Sequence, residues 1–244
     1  MKFADQGIII SQKKYGENSL ILKVFCANNG IYRGFISRAK SNKDKVIFQI
    51  GNLIFFEFSA RNEDNLGQFS RVDLVKSYCS NIMFDSLKLN CVNSLFSIID
   101  ASFLERENHQ KLFEKLELFL QKISEENCQN KNFLADYIKL ELKILKTLGY
   151  EIDLSCCVVT NSKVDLAFVS PKSARAVCFE IGKPYQNKLL KLPNFLVQND
   201  VEILEEDLSC GLRLSGFFLE KFIFAEKKLN EKERYFFYRK NILS

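Results

Sequence analysis

Residues 19–45, SLILKVFCANNGIYRGFISRAKSNKDK, read as strand, turn, strand and basic tail. Ser19–Ala27 and Ile31–Ser37 are β-branched or aromatic runs that flank Asn28-Asn29-Gly30. Asn and Gly tolerate the positive φ of a tight turn, so a hairpin is predicted. After Ala39 the segment is a polar loop without apolar residues. Ile31–Lys45 holds five cations, Arg33, Arg38, Lys40, Lys43 and Lys45, against one anion, Asp44, with Tyr32 and Phe35 interleaved. Cations that follow phosphates, beside rings that stack on bases, suit single-stranded nucleic acid. A solvated hairpin loop explains the same charges equally well.

Working outward, Gly7–Gln12 is a further strand, set off by the polar KKYGEN. Val46–Ile50 and Leu53–Ser59 are apolar and broken at Gly51-Asn52, and Arg61–Gly67 leads into the weakly alternating Gln68–Lys76. Five short strands in the first third predict a small closed barrel, which removes exposed sheet edges. An OB-type barrel is the preferred form, because that fold presents a groove to single strands.

No Gly or Pro occurs between Gly67 and Gly149, which favours long helices. Leu112–Ile123 carries an apolar stripe at spacings of three and four. Leu89–Leu104 is apolar nearly all round, as a more buried helix should be, and Phe133–Leu148 ends at Gly149. Residues 150–195 are a mixed insert containing all three Pro and a strand over Leu166–Ser170. Helical patterning resumes at Asp200, and the charged tail still holds Tyr235, Phe236, Phe237 and Tyr238, which either pack back or face a partner. The chain is therefore α+β, with an OB-fold domain over 1–78 and a mainly α-helical domain over 79–244.

Charge sharpens the first reading. Residues 1–75 hold 11 Lys and Arg against 7 Asp and Glu, so most of the net charge of +5 lies there. The N-terminus lacks a signal-like apolar run and no segment reaches a membrane span, so a cytoplasmic protein with reduced thiols is expected. Catalysis is not expected. His109 lies in polar ENHQK as a surface histidine, no phosphate-binding glycine motif occurs, and the acids form no cluster. Zinc needs convergent ligands, but Cys156 and Cys157 are adjacent, Cys178 stands alone, and Cys128 or Cys210 are distant. No metal or other cofactor is expected.

Certain motifs occur in a recognisable order: GIIISQKKYGENSLILKVFCANNGIYRGFISRAK, FQIGNLIFFEF, LELKILKTLGYEIDLSCCVVT, LAFVSPKSARAVC and GKPY. Together they span roughly residues 5–195, and the chain resembles the RecO family, bacterial recombination mediators of the RecF pathway. The resemblance implies an OB fold followed by a helical domain. It implies non-specific binding of single- and double-stranded DNA, strand annealing, and help in loading RecA on strands coated by single-stranded-DNA-binding protein (SSB). Implied protein partners are RecR and the acidic C-terminal tail of SSB. By position, the family's basic loop falls on Arg38, Lys40, Lys43 and Lys45, with Arg33 beside it, and Lys13, Lys14 and Tyr15 extend the groove where the first strand exits. The residue receiving the SSB tail corresponds to Lys139. Some members carry a four-cysteine zinc site after that helix, of which this chain keeps only part. Asp44 implies weaker DNA binding than in more basic members. The residues leave open a pure protein adaptor and an RNA-binding OB protein.

Overall fold

The tight turn expected at Asn28-Asn29-Gly30 forms, and buried Asp5 pins it. One Asp5 carboxylate oxygen accepts from the Asn28 backbone N–H (3.1 Å) and the Asn29 side-chain amide (2.6 Å), the other from the Asn28 amide (2.9 Å). Gly30 is required twice over: its φ is +82°, and a Cβ there would stand 2.1 Å from the carbonyl oxygen of Glu107. This computed structural model describes residues 1–37, 41–62, 66–125, 130–198 and 200–243.

Five strands follow from the N-terminus: β1 (Lys2–Tyr15), β2 (Ser19–Cys26), β3 (Gly30–Ser37), β4 (Leu53–Ser59) and β5 (Gly67–Lys76). They close a barrel in the order β1-β2-β3-β5-β4, with β1 pairing back to β4 and a short parallel pairing between β3 and β5. This architecture is compatible with the OB type. β1 is longer than its apolar run because its first half pairs with β4 and its second half with β2, with a bulge between Ile9 and Ser11. Ile9, Leu22, Val24, Tyr32, Ile54, Phe56, Phe58 and Phe69 fill the interior. Gly67 admits the Phe58 ring, which a Cβ would meet at 1.9 Å.

One expectation is corrected between β3 and β4. The segment read as a polar loop followed by an apolar run contains a helix, α1 (Asn42–Ile47). Ser41 caps it: its hydroxyl accepts from the Asp44 N–H at 3.0 Å, and the Asp44 carboxylate accepts from the Ser41 N–H at 2.9 Å. The pair is a capping box, with Asp in the place usually taken by Glu.

Two compact units divide the chain, Met1–Glu126 and Asn127–Ser244. The first contains the barrel and α2 (Cys79–Ile82), α3 (Ser86–Ser102) and α4 (Gln110–Ile123). Asp85 caps α3 through the N–H groups of Leu87 and Lys88. His109 sits at the start of α4 but is not the exposed residue expected. It is half-buried, because its ring packs edge-on against Phe103, 4.6 Å between centroids.

The second unit holds α5 (Asn130–Thr147), strands β6 (Leu166–Val169), β7 (Ala176–Cys178) and β8 (Leu190–Lys191), α6 (Phe179–Gly182), α7 (Glu205–Leu219) and α8 (Leu229–Leu243). The small sheet has the order β7-β6-β8. Gly149, at φ +88°, ends α5. α7 runs on through a π turn at Glu220–Phe224. The aromatic tail is divided: Tyr235 is fully buried and stacks on Phe224 at 4.3 Å, while Phe236 and Phe237 are exposed. Arg239 reaches Glu141 of α5 and the carbonyl of Leu212 in α7.

Candidate nucleic-acid interface

Alternation along β1–β3 gives the barrel an outer face, and that face is used in two ways. Toward the β2–β3 turn its residues are apolar and covered. Ile8, Ile10, Phe25 and Ile31 are fully buried, with Phe25 edge-on to Phe113 of α4 at 5.7 Å. Toward the β1–β2 hairpin the face opens. There the register sets three cross-strand rows: Ser11–Lys23–Arg33, Lys13–Ile21–Phe35 and Tyr15–Ser19–Ser37. A shallow, open depression of about 430 Å³ lies on this half, lined by Lys13, Ile21, Lys23, Arg33 and Asp100 among others. At its hairpin end Tyr15 is exposed and packs edge-to-face on Phe35, 5.7 Å between centroids.

Cations and rings therefore share one face, as a phosphate-tracking, base-stacking surface needs. The register brings Lys13, Tyr15 and Arg33 together on it. Lys14 is exposed but points to the other side of β1, opposite Leu20. Lys45 is exposed on α1. Lys43 falls on α1 with its side chain outside what is described, and Arg38 and Lys40 lie outside the described residues. Asp44, expected to oppose DNA as a loop acid, is engaged as the partner of Ser41.

Lys23 was missed. It lies in the middle of the apolar SLILKVFC, where local composition signals only a strand. The available signal was its outward register beside Ser11 and Arg33. Two acids from the helical side approach this row. The Lys23 ammonium is 2.6 Å from Asp100 and also donates to its carbonyl at 3.4 Å, and Arg33 Nε stands 3.5 Å from Glu105.

Comparison with known proteins assigns the chain to a family. The family model described as "Recombination protein O N terminal" matches residues 1–78, and "Recombination protein O C terminal" matches residues 83–229. The DNA repair protein RecO of Rickettsia typhi is 39% identical over 236 residues, 97% of each chain. That of Rickettsia felis is 38% identical with the same coverage, and that of Rickettsia bellii 37% identical over 97% of this chain and 95% of its own. The chain belongs to the RecO family of DNA repair proteins. In this RecO-family chain the two matched regions meet just after β5, while α8 lies almost wholly beyond the C-terminal match.

In the second unit, Lys139 is exposed on α5 with its ammonium 5.9 Å from the centre of the Phe195 ring. The cysteines of the insert do not fit a four-ligand zinc site. Among the described residues no group of three or more His, Cys, Asp or Glu is placed to hold a metal ion. Cys157 is fully buried, and burial pushes its thiol up. The Cys178 N–H donates to the sulfur at 3.3 Å, and hydrogen bonding from the turn at 158–160 and Cys178 outweighs burial and lowers its pKa to about 6. No helix among the described residues is long and apolar enough to cross a membrane.

Proposed function

We propose that this chain is a recombination mediator that acts by binding, without catalysis, in the cytoplasm. It holds single- and double-stranded DNA without base specificity, anneals complementary strands, and with RecR helps load RecA onto SSB-coated strands. The observation that carries this reading is the open half of the β1–β3 face, where Lys13, Lys23 and Arg33 stand beside Tyr15 and Phe35. Cations there screen the repulsion between two phosphate backbones, and rings accept any base, so annealing needs no reacting group. The basic residues Arg38, Lys40, Lys43 and Lys45 continue the path in sequence. Lys139 is assigned to the SSB tail, where an ammonium meets a terminal carboxylate as a point charge.

Titrating labelled oligo-dT across a salt series tests the electrostatic surface. Binding should fall steeply with salt. Replacing Lys13, Arg33 and Lys45 with Gln should weaken it more than tenfold at low salt and flatten the log–log slope by about 2, given about 0.7 for each phosphate left without its cation. Salt-independent binding sinks the surface. An SSB tail peptide should be captured less by a Lys139→Ala variant, and equal capture moves that site elsewhere.

A further inference from the structure

The open half of the barrel face contains a conflict of charge. Lys23 and Arg33 stand directly opposite each other on β2 and β3, and like charges across a ladder repel. Two carboxylates relieve it. Asp100, in the last turns of α3, meets Lys23, and Glu105, in the bend after α3, meets Arg33. The bend is fixed to β3 through the backbone: the Arg106 N–H donates to the Ile31 carbonyl at 3.0 Å, and Gly30 leaves room for Glu107. The fold itself therefore carries these acids to the cations. Both pairs remain open to water, with side-chain exposures of 18% and 28% for the first and 58% and 35% for the second. A backbone phosphate presents the same kind of oxyanion to the same two groups.

We propose that Asp100 and Glu105 are built-in competitors for nucleic-acid phosphates. In the free chain they occupy Lys23 and Arg33, and a single strand engages that row only by displacing them. The inference rests on the barrel-face reading above and deepens it, by naming the residues that set its affinity. Once displaced, the carboxylates stay beside the strand and repel it. Binding is thereby weakened and kept easily reversible, as a protein that must pass its strand on requires.

The full-length chain with Asp100→Asn, Glu105→Gln, or both tests this by oligo-dT anisotropy over a salt series. Each substitution should tighten binding about two- to fivefold at low salt, the range that partly exposed pairs supply. The slope should steepen by about 0.7 for each cation freed to meet a phosphate. Glu57→Gln is the control. It changes net charge equally, but Glu57 lies on β4 and pairs with Arg71 on β5. An equal gain from Glu57→Gln, or no gain from either acid, overturns the proposal. In a Lys23→Gln background Asp100→Asn should give no gain beyond that of Glu57→Gln, and a full gain there also overturns it. If Asp100→Asn fails to fold, Glu105→Gln carries the test through the more exposed pair. Steep salt dependence in the wild type with unmoved variants sinks this inference alone. A wild type whose binding ignores salt sinks the barrel-face reading with it.

Discussion

Arg239 meets Glu141 with 5% and 0% of their side chains exposed, whereas Arg33 meets Glu105 with 58% and 35% exposed. The chemical groups are identical, yet their surroundings give them different work. Both carboxylate oxygens of Glu141 are matched. Ser215 donates to one carboxylate oxygen at 2.6 Å, Tyr137 to the other at 2.5 Å, and Arg239 also donates to the Leu212 carbonyl. Breaking such a set strands a charge in a dry interior. Around Glu105 water stands ready to replace either partner, so the pair can open at little cost. Charge in the second unit fastens α8 to α5 and α7, and charge on the barrel face is left exchangeable.

The largest expected effect tests the fastening. Arg239→Ala should cost about 3–5 kcal/mol of stability, because Glu141 is left buried without its counter-ion. Urea unfolding monitored by far-UV circular dichroism measures it. A loss below about 1 kcal/mol would place Arg239 with the surface pairs and erase the contrast.

Gly216→Ala attacks the same pair without removing a charge. A Cβ there would lie 2.8 Å from Arg239 Nε, so the guanidinium must shift. Overpacking of this kind costs about 1–3 kcal/mol. The double variant Gly216→Ala, Arg239→Ala should lose less than the sum, since the clash disappears with the arginine. Strict additivity would show that the glycine matters for another reason.

Cys157 extends the comparison to a buried charge without a cation. Its sulfur accepts the Cys178 N–H, and hydrogen bonding lowers its folded pKa to about 6. A lowered pKa contributes stability that is full above the unfolded thiol's value and is lost as pH falls through about 6. Cys157→Ala should therefore cost about 1.5 kcal/mol in mildly alkaline buffer, the scale of hydrogen bonds to a charged group. The cost should shrink toward pH 5. Unfolding midpoints of wild type and variant across that window decide it, and a pH-independent difference would mean that the sulfur acts only by packing.

These contrasts explain which parts of the molecule were legible in its sequence. The barrel was, because its hairpin turn at residues 28–30 and its alternating runs are local signals. So were the helices, whose stripes repeat within a few residues. The helix over Asn42–Ile47 was missed although Ser41 and Asp44 stand at capping spacing, because the charges around them pointed to a loop. The partners of Lys23 and Arg239 were not legible. Asp100 lies 77 residues from Lys23, and Glu141 lies 98 from Arg239, so only the fold brings them together. The tail aromatics left their destination open for the same reason, since Tyr235 finds Phe224 across a chain reversal.

The smallest effect on stability is expected on the barrel face, where it separates structure from function most sharply. Arg33→Gln should change unfolding free energy by less than about 1 kcal/mol, as exposed pairs do. Oligo-dT affinity should nevertheless fall several-fold at low salt and converge on wild type as salt rises, because salt screens the attraction that Arg33 supplies. Glu105→Gln should be equally quiet in stability and opposite in sign for binding. If Arg33→Gln destabilised the chain as Arg239→Ala does, the face would be a structural seam whose cations are not free to exchange. If both substitutions left binding untouched at every salt concentration, DNA would take a path that avoids the β1–β3 face.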